Sequence, residues 1–409
     1  MAIKKARNDG LDKRLKLTIE ERIIMKTPKS LATKIGIIGG GQLGKMMILE
    51  AKKMGMHINI LDPEPNCPSS SIADTHIVGG LKDADAIKKL AEISDVVTYE
   101  IEHINVDALF EVEKTGKPVY PTPASLKIIQ NKLSQKTRLI EEGVPSPDLL
   151  AVNSPEDLRR AGEKFGYPMM VKACLGGYDG KGNFLIKSAD QAEEAFAALG
   201  GSDLMVESFV DFTMEISVLA CRGRSGEIAV YPVAQNDHEN EVLNETKVPA
   251  NISPETSKQA MDVARRVMEI FEGVGMFCVE MFVLRDGSVS VNEIAPRPHN
   301  SGHYTIEACN SSQFDNHIRA VAGLPLGDTA LIKPVVMRNL LGDAGEDGVA
   351  HVTGVDEVLS IPGARLHIYG KAEVKPKRKM GHITVIADSL EEAVENGDKA
   401  HNALKIKGL

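Results

Sequence analysis

The stretch Val171–Ile186, VKACLGGYDGKGNFLI, joins two apolar runs through a loop that contains four glycines. The apolar runs predict two strands, and glycine allows positive φ angles that let successive backbone N–H groups face one anion. Lys172 at the end of the first strand and Lys181 in the loop add positive charge for a polyphosphate. An ordinary glycine-rich hairpin would show the same pattern, so the downstream residues decide between the two interpretations. Because no helix is predicted after the loop, it differs from the phosphate loop of P-loop NTPases.

The composition around this stretch is that of a globular protein. The chain has 409 residues, of which 43% are hydrophobic and 26% are charged, and this length permits about two to four domains. A net charge of −9 argues against a general nucleic-acid or anionic-membrane binder, and no apolar run is long enough to cross a bilayer. The five scattered cysteines lack C-x-x-C spacing, which predicts reduced thiols and a cytoplasmic protein.

Residues 1–33 are predicted to form a polar extension. They are rich in Lys and Arg but lack the apolar core of a secretory signal. Glu20 and Glu21 interrupt the basic residues, which argues against a transit peptide. No function is apparent from this segment.

An α/β unit is predicted to follow the extension. The apolar run Lys34–Ile38 precedes GGGQLG at 39–44, a helix at Lys45–Met54 and a second strand at His57–Leu61, which ends at Asp62. A G-x-G-x-x-G motif with a downstream acid is typical of NAD-binding units. Any βαβ unit that handles a nucleotide or phosphate needs the same tight turn at a helix N-terminus. An NAD-binding oxidoreductase and a regulatory nucleotide-binding module are therefore alternatives at this point.

Two carboxylates close a later strand of this unit. Glu100 and Glu102, in VVTYEIEH at 96–103, would share one face of the strand. Two like charges on one face are stabilised when a cation or an amine packs against them. Without such a partner, the two glutamates would form a solvated strand end. Because ligands of open α/β sheets bind at the carboxyl ends of strands, this end is a candidate ligand site.

The middle of the chain predicts one helix and several strands around the glycine-rich loop. Residues 124–143 are predicted to form a single helix. A strand is predicted at Asp203–Val210, and Glu215–Arg222 and Glu227–Ala234 are predicted to form a hairpin. His238 follows in a predicted loop.

A second hairpin is predicted to bring two glutamates together. Two apolar strands flank Asp286-Gly287, the preferred two-residue turn. Counting outward from this turn places Glu280 opposite Glu293, with Cβ atoms about 4.5–5.5 Å apart. Like charges at this distance require a cation or a proton between them, and carboxylates with phosphate oxygens are the usual environment of Mg²⁺. A larger turn or a bulge would undo the pairing.

Two polar segments lie beyond this hairpin. The loop APRPHNSGH at 295–303 is stiffened by prolines and places Arg297, His299 and Asn300 close to the glutamate pair, which predicts a substrate-positioning role. Further on, five basic residues lie between positions 371 and 379 of an acidic chain. They indicate either an anion site or a solvated basic loop.

Together these segments resemble the ATP-grasp enzymes and, among them, the N5-carboxyaminoimidazole ribonucleotide synthetases of purine biosynthesis. The matching motifs are GGGQLG at 39–44, TYEIEHI at 98–104, GGYDGKG at 176–182 and NEIAPRPHNSGH at 292–303. The resemblance covers residues 34 to about 385. It implies a C–N ligase of IMP synthesis that uses ATP, Mg²⁺ and bicarbonate to carboxylate 5-aminoimidazole ribonucleotide through carboxyphosphate. It also implies a homodimer.

The fold that the resemblance implies is α/β and α+β. A Rossmann-like pre-ATP-grasp domain would span residues 34–122, and an ATP-grasp domain would span residues 123–330. The ATP-grasp domain would include a small hairpin lid subdomain at about 145–210, and residues 331–409 would form a C-terminal β-rich domain.

The resemblance also implies residue roles. The residues at the reacting centre would be Tyr178, Asp179, Lys181 and Arg297. ATP would be bound by Lys132, Lys172, Gly177, Tyr178, Asp179, Gly180, Lys181, Gly182, Asn183, Glu207, Ser208, Phe209, Val210, Glu215, His238, Asn292 and Glu293. The ribonucleotide would be bound by Gln42, Leu43, Glu100, Tyr178, Asp179, Arg297, His299, Asn300, Lys371, Arg378 and Lys379. Mg²⁺ would be held by Glu280 and Glu293.

A sister family, the formate-dependent glycinamide ribonucleotide transformylases, shares the PRPH loop and is the nearest alternative. That family carries Glu where this chain has Gln42, and it lacks the Tyr-Asp of GGYDGKG. Both differences favour the carboxylating enzyme.

Overall fold

The described chain begins with a parallel sheet flanked by helices. A computed structural model describes residues 31–176, 182–342 and 347–409. The first elements are β1 (Lys34–Ile38), α1 (Gln42–Lys53), β2 (His57–Asp62), β3 (Thr75–Val78), α2 (Ala84–Glu92), β4 (Val96–Tyr99) and α3 (Val106–Lys114). The strands pair in the parallel order β3-β2-β1-β4. The central strands are apolar on both faces because helices cover both sides of the sheet.

One sequence prediction for this unit is wrong. Strand β4 ends at Tyr99, so Glu100 and Glu102 lie beyond the strand and do not share one of its faces. The backbone N–H of Glu100 still donates to the carbonyl of Ile38 at 3.0 Å, but the described ladder with β1 stops at Tyr99. The two glutamates consequently point to different partners.

The helix predicted over residues 124–143 is two helices, α4 (Pro123–Gln130) and α5 (Lys132–Glu141). Asn131 separates them with an extended backbone, and its side chain accepts a hydrogen bond from the Ser134 N–H at 2.9 Å. Asparagine is a preferred N-cap because its side chain satisfies an otherwise unpaired backbone donor. Lys132 therefore occupies the first position of a new helix.

A small antiparallel sheet contains the strands on either side of the glycine-rich loop. Its elements are β5 (Leu149–Val152), α6 (Pro155–Phe165), β6 (Met169–Ala173), β7 (Asn183–Ile186), α7 (Ala192–Ala198) and β8 (Leu204–Ser208). The strand order is β5-β8-β6-β7. The two strands predicted from VKACLGGYDGKGNFLI are present and pair with each other, and buried side chains such as Val171, Ile186 and Leu158 fill the space beneath the two helices.

The elements of the central region follow. They are β9 (Phe212–Arg222), β10 (Ile228–Val230), β11 (Ala234–Glu239), β12 (Val242–Val248), α8 (Pro254–Phe271), β13 (Gly275–Leu284), β14 (Val289–Ala295), α9 (Thr305–Ala308) and α10 (Gln313–Ala322). The hairpin predicted after β9 forms, but its second strand stops at Val230 and a new strand begins at Ala234. Pro232, which lacks a backbone N–H, lies in this interruption. His238 is consequently on strand β11, and its predicted loop position is wrong.

The C-terminal elements extend the central sheet. They are β15 (Val335–Leu341), β16 (Gly348–Thr353), α11 (Val355–Ser360), β17 (Ala364–Ile368), β18 (Glu373–Val374), β19 (Lys379–Ile386), α12 (Leu390–Ala403) and β20 (Lys405–Gly408). Strand β12 pairs with β15, so the described strands run β14-β13-β9-β11-β12-β15-β19-β17 in one sheet, with β10 beside β9. Strands β18, β16 and β20 form a separate small sheet. Within these described ranges, no helix has the length and apolar composition that a membrane span requires.

Candidate active site

The Glu280–Glu293 pair lies on the β13–β14 hairpin, and its predicted register is confirmed. Leu284 N–H donates to the Ser288 carbonyl at 2.8 Å, and Gly287 has φ +83°, so the turn has three residues, 285–287, and the predicted two-residue turn is wrong. A bulge between Glu280 and Met281 then shifts the register by one residue, which restores the pairing of Glu280 with Glu293. The larger turn and the bulge, either of which alone would have separated the two glutamates, compensate each other.

The electrostatics of this pair favour a bound cation. Burial and the neighbouring charge of Glu293 raise the pKa of Glu280 to about 7. Lys132 Nζ lies 2.5 Å from Glu293 Oε1, so Glu293 already has a cationic partner. Within the described residues, no group of three or more His, Cys, Asp or Glu side chains could hold a metal ion. A divalent cation at the two glutamates would therefore take its remaining ligands from water or from a bound molecule such as a nucleotide phosphate.

A buried lysine–glutamate–lysine cluster supports the predicted phosphate side of the site. Glu207 Oε2 lies 2.7 Å from Lys172 Nζ, and Glu207 Oε1 lies 3.1 Å from Lys136 Nζ. Burial opposes ionisation of Glu207, but the charges of the two lysines lower its pKa to about 2. Burial lowers the pKa of Lys136 to about 8. The carboxylate of Glu207 is thus held by lysines, whereas Phe209, two residues further along the chain, is 47% exposed.

Lys136 was assigned no role from the sequence, although it contacts two parts of the site. Its Nζ also donates to the Val291 carbonyl on β14 at 2.8 Å, and Lys172 Nζ donates to Asn292 Oδ1 at 3.2 Å. The available signal was its spacing of four residues from Lys132, which places both lysines on one side of α5. Burial of a charged lysine is costly unless it is paired, and Glu207 provides the pairing.

Glu215 and His238 were predicted to belong to the nucleotide site, and the structure brings them together. His238 Nδ1 on β11 lies 3.4 Å from Glu215 Oε2 on β9. Burial disfavours the charged imidazole, but the hydrogen bond and charge of Glu215 raise the pKa of His238, with a further contribution from Glu280. His238 is therefore electrostatically coupled to Glu280 as well as to Glu215.

The glycine-rich turn before α1 holds protein carboxylates. The N–H of Gly44 donates to Glu100 Oε2 at 2.5 Å, and that of Gly41 donates to Glu100 Oε1. The N–H of Gly40 donates to Asp62 Oδ2 at 2.7 Å. In a dinucleotide-binding unit these backbone donors would face a pyrophosphate. Because Glu100 occupies the N-terminus of α1, the geometry argues against the NAD-binding alternative.

Arg297 forms a bidentate ion pair with the other glutamate of this region. Arg297 Nε lies 2.5 Å from Glu102 Oε2, and its Nη2 lies 2.9 Å from Glu102 Oε1. Burial opposes ionisation of Glu102, but the charge and hydrogen bonds of Arg297 lower its pKa to about 2. The expectation that a cation packs against the two glutamates is thus met for Glu102. The sequence placed Glu102 with Glu100 at a candidate ligand site, whereas the residue roles implied by the resemblance include Glu100 alone.

His299 and Asn300, on the loop after β14, lie at the other side of the glutamate pair. His299 Nε2 is 3.6 Å from Glu280 Oε1, and its Nδ1 is 2.9 Å from Ser301 Oγ. Burial and the charge of Arg297 hold the pKa of His299 well below its ordinary value, which favours the neutral ring. Asn300 is buried and exchanges amide hydrogen bonds with Asn339 at 2.9 and 2.7 Å. The loop is therefore fixed against both β13 and β15.

The basic C-terminal residues Lys371 and Arg378 bind backbone carbonyls of their own region. Lys371 Nζ donates to the Lys379 carbonyl at 2.7 Å, and Arg378 Nη1 donates to the Glu373 carbonyl at 2.7 Å. Burial and the charge of Arg378 lower the pKa of Lys371 to about 8, whereas Glu100 acts in the opposite direction. The fold thus brings Lys371 near Glu100.

Part of the predicted nucleotide loop lies outside the described residues, namely Gly177, Tyr178, Asp179, Gly180 and Lys181. Their assigned roles stay predictions. Of the neighbouring residues, Gly182 has φ +88° and its carbonyl accepts from the Ala173 N–H at 2.8 Å, and Asn183 begins β7. These contacts fix the two ends of the loop on paired strands.

Comparison with known proteins gives a consistent result. Residues 32–130 match the ribonucleotide synthetase pre-ATP-grasp domain, residues 137–314 match the ATP-grasp domain, and residues 335–396 match the phosphoribosylaminoimidazole carboxylase C-terminal domain. The N5-carboxyaminoimidazole ribonucleotide synthase of Bacillus subtilis is 44% identical over 362 residues, which are 88% of this chain and 93% of that protein.

Solved structures agree with these matches. The N5-carboxyaminoimidazole ribonucleotide synthetase of Thermotoga maritima superposes with a TM-score of 0.85 at 45% identity, over 92% of this chain and 100% of that one. The N5-carboxyaminoimidazole synthase of Aspergillus clavatus, solved with ADP and 5-aminoimidazole ribonucleotide, has a TM-score of 0.85 at 37% identity, over 91% and 99% of the two chains.

Proposed function

Because the chain belongs to the N5-carboxyaminoimidazole ribonucleotide synthetase family of ATP-grasp ligases, we propose that it couples ATP hydrolysis to carboxylation of the exocyclic amine of 5-aminoimidazole ribonucleotide, with bicarbonate as the carboxyl source. The observation that carries the proposal is the position of Glu280. On one side, this carboxylate faces Glu293 and the charge of Lys132. On the other side, it faces His299 of the PRPH loop. A nucleotide phosphate and a carboxyl acceptor bound on these two sides would meet at Glu280.

On the nucleotide side, Lys132 and Lys172 are the proposed phosphate contacts. Both ammonium groups lie in the region of Asn292 and Glu293 on β14. Lys132 pairs with Glu293, and Lys172 pairs with the buried Glu207. Positioning and charge neutralisation are the main requirements of phosphoryl transfer. Glu207–Val210, Glu215 and His238 are proposed to bind the remainder of the nucleotide, together with Gly182 and Asn183.

Glu280 and Glu293 are the proposed ligands of Mg²⁺. The pair fits the ion because Glu280 is a partly buried carboxylate whose pKa is raised by burial and by Glu293, and a divalent cation would remove that repulsion. When bound, Mg²⁺ supplies positive charge to the phosphate oxygens during transfer. Asn292 is adjacent to Glu293 and its amide oxygen already accepts from Lys172, so this lysine and the metal ligands are held as one unit.

On the acceptor side, Arg297, His299 and Asn300 are proposed to bind the base and ribose of the ribonucleotide. Gln42, Leu43 and Glu100 at the start of α1 would form the opposite wall, and the 5′-phosphate would be clamped by Lys371, Arg378 and Lys379. The ion pair between Arg297 and Glu102 and the amide pair between Asn300 and Asn339 hold this loop rigid. A rigid acceptor site suits a labile carboxyphosphate, because misplacement of the amine would favour hydrolysis by water.

The reaction balances without a redox step. A bicarbonate oxygen attacks the γ-phosphorus of ATP, and the bond to ADP breaks. The exocyclic amine then forms a bond to the carboxyl carbon of carboxyphosphate or of the CO₂ released from it. The amine nitrogen gives up one proton, and inorganic phosphate leaves. A cytoplasmic homodimer is the proposed assembly and location, as the family implies.

The test is an acceptor comparison. Purified protein is supplied with ATP and Mg²⁺, and ADP release is measured with bicarbonate plus 5-aminoimidazole ribonucleotide and, separately, with formate plus glycinamide ribonucleotide. We expect strong ribonucleotide-dependent release in the first mixture only, with a product carboxylated on nitrogen. Release in the second mixture alone would assign the chain to transformylase chemistry.

A further inference from the structure

Lys45 joins the first domain to the C-terminal region and has no role in the site described above. It lies in the first turns of α1, three residues after Gln42. Its Nζ donates to the carbonyl of Ile368 at 3.2 Å and to the carbonyl of Tyr369 at 3.1 Å. These acceptors are more than three hundred positions away in the chain, at the end of β17. Two of the three donors of the ammonium group are thus used to hold one remote turn.

The same turn is anchored to α1 by apolar packing. The ring of Tyr369 is buried in the cluster that contains Leu43, Met46 and Met47 of α1. The Tyr369 hydroxyl lies 2.9 Å from His382 Nδ1, and the Tyr369 N–H donates to the Met380 carbonyl at 3.0 Å. The turn is therefore attached to its own sheet by β19 and to the first domain by Tyr369 and Lys45.

Lys371, a proposed ligand-binding residue, follows directly after the turn that Lys45 holds. Gly370 has φ +85°, which reverses the chain directly after the two carbonyls that Lys45 binds, and a Cβ at Gly370 would lie 3.7 Å from Lys45 Nζ. Lys371 follows immediately, and its Nζ is turned toward the Lys379 carbonyl. Lys45 thus determines where the backbone that carries Lys371 sits relative to the N-terminus of α1, where Glu100 is bound.

We propose that Lys45 is a positioning residue for the 5′-phosphate of the ribonucleotide. It holds the Tyr369–Lys371 turn of the C-terminal region against α1, so that Lys371 on one element and Gln42 on the other face the same molecule. This inference rests on the proposed function, since it needs Lys371 to bind the phosphate. Lys45 acts through the turn and does not take part in phosphoryl transfer, so the nucleotide side of the site is independent of it.

The test compares substitutions of Lys45 with a substitution at the other end of the same helix. Lys45→Met and Lys45→Gln remove the ammonium group, Lys45→Arg keeps a cation with several donors, and Lys53→Met removes an exposed lysine that pairs with Glu50 of the same helix. Titration calorimetry gives the Kd for 5-aminoimidazole ribonucleotide, and steady-state ADP release gives the KM values for ribonucleotide and for ATP. Thermal unfolding of every variant is recorded alongside.

We expect Lys45→Met and Lys45→Gln to bind the ribonucleotide about tenfold more weakly, which corresponds to the loss of one or two charge-assisted hydrogen bonds. The KM for ATP should be unchanged, Lys45→Arg should recover most of the affinity, and Lys53→Met should behave as the wild type does. Folded Lys45 variants with wild-type ribonucleotide affinity would overturn the inference while leaving the proposed function in place. An equal loss of ATP and ribonucleotide affinity would overturn it as well, because that pattern indicates a general structural defect. A wild-type protein with no ribonucleotide-dependent turnover would contradict the proposed function, and the inference with it.

Discussion

At the scale of single residues, Glu280 combines an unfavourable environment with a central position. It is partly buried, it lies opposite Glu293, and both features raise its pKa to about 7. A carboxylate placed in this way costs folding free energy, and such a cost is common where a group is needed for ligand binding. Stability and activity should therefore respond in opposite directions when its charge is removed.

Glu280→Gln tests this opposition. In the absence of Mg²⁺ at neutral pH, the variant should be more stable than the wild type by about 1–2 kcal/mol, because the repulsion from Glu293 is lost. Its ribonucleotide-dependent ADP release should fall about a hundredfold or more, because one proposed metal ligand is missing. Urea unfolding and steady-state kinetics measure the two effects.

The matched control is Glu269→Gln, which removes an exposed glutamate of α8 that pairs with Arg266. Glu269→Gln should change neither the free energy of unfolding nor the rate of ribonucleotide-dependent ADP release appreciably. A Glu280→Gln variant that is less stable than the wild type, or that retains full activity, would contradict the role given to this carboxylate.

At the scale of elements, the ends of β4 and β14 are joined by one ion pair. Glu102 follows β4, and Arg297 follows β14. The pair is bidentate and its side chains are mostly buried. Because the pKa of Glu102 in the folded chain, about 2, lies below its ordinary value of 4.5, its contribution to stability is present above pH 4.5 and is lost as the pH falls through about 2.

Glu102→Gln should reveal this dependence. At pH 7 the variant should be destabilised by roughly 3 kcal/mol, because Arg297 is left partly buried without its partner. As the pH is lowered from about 5 to 3, the wild type should lose stability faster than the variant, so the difference between them should shrink. Urea unfolding at several pH values measures this difference in the free energy of unfolding.

Glu111→Gln removes the carboxylate of an exposed, solvent-screened pair with Lys114 on α3, and as the control it should show a much smaller convergence. Wild-type and Glu102→Gln curves that run parallel over the acid range would show that the ion pair does not have the assigned role.

Some features of these elements could be predicted from the sequence, and others could not. The strands around the glycine-rich loop and the pairing of Glu280 with Glu293 were predictable from apolar runs and a turn motif. The turn itself was assigned one residue too short, because the compensating bulge, at which the β13–β14 ladder skips Asn292, has no signal in the local sequence. The separate partners of Glu100 and Glu102 depend on the chain leaving the sheet at Tyr99, which the local pattern does not indicate.

At the scale of the whole molecule, the central sheet passes through what the sequence suggests are two domains. Strand β15 pairs with β12 from Glu245 to Val248, and β19 and β17 continue the sheet. Partners so distant in the chain cannot be inferred from local periodicity, so the sequence predicted a β-rich C-terminal unit but not its place in this sheet. The domain boundaries proposed from the sequence stay predictions.

A chain that ends at residue 330 should therefore be insoluble or aggregate. Removing β15 would expose the edge of β12, where Val248 and Leu243 are buried in the full chain, and unpaired apolar edge strands associate with one another. Expression and light scattering measure the effect, and a chain that begins at residue 31 is the comparison because it keeps every described strand. A soluble, folded truncated protein would show that the two parts fold independently.

In the proposed reaction, ATP activates bicarbonate for transfer to the ribonucleotide. This activation is tested most directly with bicarbonate labelled with ¹⁸O, by mass analysis of the phosphate released in the presence of 5-aminoimidazole ribonucleotide. Attack of a bicarbonate oxygen on the γ-phosphorus leaves that oxygen on the phosphate, so we expect phosphate that carries a single labelled oxygen. Unlabelled phosphate, formed alongside a carboxylated product, would contradict it.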